Sequence, residues 1–210
     1  MTAKEAFGAT INRARGLIAL HQELCPIGAP RQEYADILRA AVVFAVSAMD
    51  AYFHDKIGEK VVPLVRMKAG RNLPGKLVET IRAGTTHDRL IEIMLEERPL
   101  AHVATIVRRS LADATIQNVG KIDNALKVLG CEDAWFHAAK TLGTSRKKIK
   151  KIVQPYVDRR HDIVHEGDLG KGKKNKHSLK RITRPYTATA VDRIENFVQA
   201  VDGFIDSKIP

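Results

Sequence analysis

Between Leu38 and Phe53 the chain is apolar nearly all the way round a helical projection. A helix that is apolar on every side has to be buried. This stretch is the centre of a helix expected from Arg31 to about Val62, and it predicts a spine that the other helices surround. Within the spine Ser47, Asp50 and His54 stand three and four residues apart and therefore share one side. The longest apolar run, Ala40 to Met49, is roughly half the length that a membrane span needs, so no membrane association is expected.

The flanking sequence supplies the surrounding elements. Ala3 to Leu24 is amphipathic through Ile11, Ala14, Leu17 and Ile18, and Pro26, Gly28 and Pro30 break it. Pro63 to Gly84 is less regular, with a helix expected at Gly75 to Ala83. Thr85 or Thr86 caps a helix running to Glu97, and Leu100 to Ile116 forms the next. Lys121 to Leu129 is brief and ends at Gly130, Glu132 to Leu142 follows, and Thr144 or Ser145 caps a helix that reaches Gly167. Pro185 to Lys208 is a closing amphipathic helix. No strand-like alternation persists for five residues and no repeat is visible. The expected class is all-α, one domain over residues 1–210.

Composition agrees with packed helices. The apolar fraction is 44% while aromatics are only 5%, so Ala, Leu, Ile and Val must fill the core. The 35 Lys and Arg against 24 Asp and Glu give a net charge of +11, a field that attracts polyanions. Cys25 and Cys131 are too few and too distant for a zinc or disulfide framework and read as buried thiols. Met1 to Ala9 carries Lys4 and Glu5 and no apolar core, unlike a signal peptide, so a cytoplasmic location is expected.

The helix before Gly167 breaks its own pattern. Ile149, Val153, Tyr156, Arg160 and Ile163 follow an inward-facing spacing, yet one of them is an arginine. Either its stem lies along the core with the guanidinium reaching solvent or a carboxylate, or the guanidinium is held ready to grip a phosphate. His161 and His165 share one face, with Asp158 and Asp162 nearby. They read as a solvated helix end, a two-histidine metal site, or imidazoles placed for acid–base work. The metal reading lacks the Glu of HExxH and an obvious third ligand. Arg160 and His165 are five residues apart, about 140° around an ideal helix, and do not converge. Either the helix distorts near its end, or two copies complete one site.

Arg160, four intervening residues and His165 match the R-x4–6-H signature of the HEPN superfamily. The stretch from Ile116 through Lys121–Gly130 to Trp135 resembles the segment that precedes this motif in RiboL-PSP-HEPN proteins. Arg159 to Asp168 resembles the motif region itself, and Met49-Asp50-Ala51-Tyr52-Phe53 that family's second helix. The likeness covers about Glu33 to Phe204. In the family Asn often follows the motif arginine, where this chain has His161.

The resemblance implies a HEPN-like helical bundle with additional helices. It also implies a metal-independent endoribonuclease, without cofactor, whose composite site forms across a homodimer. Such proteins commonly act as toxins or anti-phage effectors beside a neutralising antitoxin or other defence-system partner. Arg160 would stabilise charge on the scissile phosphate, His165 would move protons, and His161 would orient the phosphate or share that work. Asp162 would support the motif, and Asp50 would pair either with Arg160 or with another nearby base. Residues 167–184 read as a mobile basic loop, in which Lys171, Lys173, Lys174 and Lys176, with Lys180, Arg181 and the motif-adjacent Arg159, would hold RNA by its backbone. Two other readings stay open: a HEPN module that dimerises and binds RNA without cutting it, and a metal-dependent phosphohydrolase using His161 and His165.

Overall fold

Helix α2 (Gln32–Met67) is the element against which most of the others pack. Leu38, Val42, Val46, Met49, Phe53 and Ile57 along it are all within 1% of full burial. The computed structural model describes residues 1–26, 32–69, 71–112, 116, 118–170 and 178–210. Around α2 lie α1 (Ala3–Leu24), α5 (Pro99–Ala112), α8 (Arg146–Glu166) and α9 (Arg184–Lys208). The smaller helices fill in: α3 (Gly75–Gly84) on α5, α4 (His87–Met94) beside α5, α6 (Val119–Val128) on α3, and α7 (Ala134–Thr141) between α8 and α9. The fold is all-α. Among the described residues the only extended pairing is an isolated antiparallel bridge between Leu169 and Leu179.

One apolar cluster runs through these helices, from Phe7 of α1 to Ile205 of α9, with Trp135 stacked on Phe197 near its centre (ring centroids 4.7 Å apart). By length and composition α2 also passes as a membrane-crossing helix, but here its apolar side chains pack into this cluster. Both cysteines are buried, and burial pushes the Cys131 thiol up to about 11.

Caps explain most of the boundaries. Thr2 and Glu5 close a reciprocal capping box on α1, while Thr86, Asn118, Ser145 and Thr183 each accept a hydrogen bond from the backbone N–H three residues on. Three expected boundaries move. Pro63 does not stop α2, which continues to Met67 because Val61 and Leu64 on either side are held in the core. Helix α4 ends at Met94 instead of Glu97, and Ile116, the expected last residue of α5, lies outside any helix.

A buried polar cluster ties α9 to α2 and α1. Asp202, 1% exposed, accepts from the Tyr52 hydroxyl at 3.0 Å and pairs with Lys56 at 2.6 Å and Lys4 at 3.0 Å. Burial alone would lower the Lys56 pKa, but Asp202 and Asp206 outweigh it and hold the ammonium charged. Burial, with the Asp202 charge beside it, pushes the Tyr52 phenol far up, so its proton stays in this cluster.

Candidate functional site

Helix α8 divides by face, as its spacing predicts. Ile149, Val153 and Tyr156 are buried, joined by Val157, and Ile163 packs partly against the core. Arg160 lies on the same side and is partly buried. Its Nε is enclosed without a hydrogen-bond partner, and among the described residues no hydrogen bond or ion pair takes its guanidinium. No carboxylate takes it among the described residues, which leaves both a guanidinium reaching solvent and one held for a phosphate.

Its neighbour Arg159 has the opposite fate. Its side chain is 14% exposed, and its terminal nitrogen donates to Asp168 Oδ2 at 2.7 Å and to the carbonyls of Lys180 and Arg181, both at 3.2 Å. Arg159, expected among the RNA-binding residues, thus has one terminal nitrogen of its guanidinium engaged inside the protein. Arg39 of α2, 6% exposed, shares the same carboxylate. Its Nε lies 2.7 Å from Asp168 Oδ2, and it also bonds Asp36 at 3.0 Å and the Lys180 carbonyl at 2.8 Å. Asp168 is 1% exposed, with Oδ1 unpartnered among the described residues.

This knot defines the end of α8. Gly167 and Asp168 are both left-handed (φ 62 and 58), and their N–H groups both donate to the Asp162 carbonyl. A glycine suits the first position because it has no Cβ to strain. Lys180 N–H donates to the Asp168 carbonyl at 2.8 Å, Gly170 N–H to the Ser178 carbonyl at 2.8 Å, and the Lys180 ammonium pairs closely with Asp162. The described flanks of the loop expected over 167–184 are tied to α2 and α8 through these contacts. Lys171, Lys173, Lys174 and Lys176 lie outside the described residues.

The two motif histidines stay at the surface. His161 and His165 face each other with ring centroids 4.8 Å apart, and His161 Nε2 is 4.0 Å from Glu166 Oε1 with its side chain 61% exposed. The helix remains α-helical through Glu166, so Arg160 and His165 keep the separation of about 140° that regular geometry gives them. End distortion does not bring them together within one chain. Among the described residues no three of His, Cys, Asp or Glu group to hold a metal.

Asp50 stands one helix away. Its Oδ1 accepts the Ile116 N–H at 2.6 Å and lies 3.5 Å from His54 Nε2, so the nearby base is the histidine one turn on in α2. It thereby satisfies the backbone of the segment between α5 and α6.

Two groups escaped the sequence reading. Arg39 and Asp168 form the knot, and the only hint was a charged residue at the edge of the apolar spine. The second group is the run Arg146-Lys147-Lys148 with Lys151, all exposed and without a carboxylate partner among the described residues. It was legible as a charge run on the helix expected to reach Gly167, but which of the cations stay without an ion pair emerges only from the packing.

No protein-family model, no curated protein and no solved structure matches this chain.

Proposed function

We propose that the chain is a metal-independent endoribonuclease that works as a homodimer, with Arg160 of one copy completed by His165 of the other. The observation that carries this reading is the Arg160 guanidinium, whose enclosed Nε has no hydrogen-bond partner among the described residues, on the same helix end as two exposed imidazoles. Leaving a charged donor half-buried without a partner is costly, and an anion is the ligand that relieves it. A phosphate matches the guanidinium fork in shape and charge.

RNA brings its own nucleophile. An imidazole, from His165 in this scheme, accepts the 2′-OH proton as that oxygen attacks the adjacent phosphorus, and a protonated imidazole returns one to the departing 5′-oxygen. The P–O5′ bond breaks as the P–O2′ bond forms, leaving a 2′,3′-cyclic phosphate and a 5′-hydroxyl. Arg160 stabilises charge on the non-bridging oxygens, and His161, 4.8 Å from His165 ring to ring, orients the phosphate or shares the proton transfer. Two copies are needed because one α8 directs Arg160 and His165 to different sides. In the cell the activity fits a toxin or anti-phage effector restrained by a partner.

The test is cleavage of labelled single-stranded RNA and its DNA counterpart, in EDTA, by wild type, Arg160→Ala and His165→Ala. Cutting of RNA alone, with cyclic ends and loss in both variants, is the expected result. A well-folded dimer that binds RNA without cutting it would replace this reading with the non-catalytic module, and cutting that needs added metal would replace it with the phosphohydrolase.

A further inference from the structure

The outward face of α8 carries one continuous stripe: Lys147, Lys151, Gln154, Asp158, His161 and His165, spaced four, three, four, three, four. At 100° per residue these six stay within about 40° of the His165 direction. Five of the six are exposed. Gln154, partly buried, accepts the Val119 N–H and donates to Asp158 at 2.7 Å, so the middle of the stripe is occupied by its own hydrogen bonds. The two ends differ in chemistry. One end has the imidazole pair, and the other has Lys147 and Lys151 flanked by Arg146 and Lys148. All four of these cations are exposed and without an ion pair among the described residues. Lys150, by contrast, is neutralised by Asp123 at 2.7 Å and lies 4.9 Å over the Trp135 ring. The fold therefore pairs the half-buried lysine and leaves the four exposed cations without an ion pair among the described residues.

We infer that this face is a track for single-stranded RNA, with the cations of the first two turns gripping the backbone some distance from the histidine end. The inference rests on the ribonuclease reading for the identity of the polyanion. The span follows from the helix: Lys147 and His165 are eighteen residues apart, about 27 Å along the axis. An oligonucleotide of a few residues reaches only one end, whereas a longer strand engages both. The partnered Gln154–Asp158 pair offers no cation between them, so the phosphate contacts fall at the two ends. Gripping the strand away from the reacting phosphate adds affinity without requiring base contacts, which makes the track indifferent to sequence.

The experiment uses 2′-O-methyl RNA, which lacks the nucleophile and so reports binding whether or not the chain cuts. Probes of about 4 and about 16 nucleotides bracket the site sizes of single-strand binders. Fluorescence anisotropy across a salt series compares the wild-type chain with R146Q/K147Q/K148Q/K151Q, whose fold is checked by its thermal midpoint. The expected result is a loss of affinity on the long probe, with the slope of log K against log salt shallower by about 0.7 for each phosphate contact removed. The short probe should change little. Unchanged affinity and slope on the long probe would overturn the track. An equal loss on both probes would overturn it too, reducing the four residues to a general field, and so would binding of anionic vesicles through them with RNA binding unaltered. If the chain binds in this way yet never cuts RNA, the cleavage reading fails and the track stands.

Discussion

The Arg159 guanidinium donates to Asp168 Oδ2 at 2.7 Å, from a side chain 14% exposed to a carboxylate 1% exposed. The pair makes one of two adjacent arginines a structural tie, while the other, Arg160, has an enclosed Nε with no hydrogen-bond partner among the described residues. That single carboxylate decides which of the two arginines is tied into the fold.

Replacing Asp168 by Ala strands two arginines, one of them the 6%-exposed Arg39. Removing one member of a buried charge cluster costs about 3–5 kcal/mol. Urea denaturation should register that loss, with Asp168→Asn milder because it keeps an acceptor. A loss below about 1 kcal/mol in the alanine variant would contradict the role given to the knot.

Arg159→Ala and Arg160→Ala should separate. The first removes hydrogen bonds to Asp168 and to two carbonyls and so lowers stability. The second removes an enclosed Nε that has no partner and should leave stability level or slightly raised, while abolishing RNA cleavage. Melting curves and cleavage rates on the same two proteins test this, and equal destabilisation by both would refute the contrast.

His21 is 1% exposed with neither ring nitrogen hydrogen-bonded, and burial, helped by the Arg184 charge, holds its pKa below the ordinary histidine value. The unfolded chain takes up this proton near pH 6.5 while the folded chain resists it. Below that pH the unfolded state holds more protons, so stability falls as the solution is acidified. His21→Leu should flatten this part of the profile of thermal midpoint against pH. An undiminished slope would assign it to other groups.

Arg146, Lys147 and Lys148 occupy the first turn of α8, where the helix dipole disfavours cations and no acidic residue offsets them. Lys147→Glu should therefore stabilise the chain by about 0.3–1 kcal/mol at low salt, with the gain shrinking as salt is added. Denaturation at two ionic strengths reads this directly. A destabilised variant would mean that Lys147 has a favourable partner.

Asp50→Ala leaves the Ile116 N–H without its 2.6 Å acceptor and should cost about 1–3 kcal/mol. Asp50→Asn retains the amide oxygen and should keep most of the stability. Denaturation of both variants, with their cleavage rates, tests this: loss of cutting in a fully stable Asp50→Asn protein would give Asp50 a more direct part than the contacts at Ile116 and His54 provide.

Periodicity was enough for the helices. The apolar spine, the inward positions of α8 and the capping residues Thr86 and Ser145 are all local patterns, because a helix neighbour is three or four residues away in sequence as well as in space. Pro63 was misread for the complementary reason: proline removes one hydrogen bond locally, but whether a helix survives it depends on packing, and Val61 and Leu64 are held in the core. The Arg160–His165 spacing likewise carried its own message, since the angle between two residues of one helix is a property of the helix.

The fate of each charge was decided elsewhere. Arg159 and Arg160 are indistinguishable as letters, and only the approach of Asp168 and of Arg39, more than a hundred residues away, selects which one is tied down. Asp50 likewise faced several bases by sequence and found a backbone amide from a different segment. A buried charge needs a partner wherever the chain brings one, and that partner is set by tertiary packing. Local spacing sets the helices and the faces they turn inward, whereas packing between distant segments selects which cations are left for an anion.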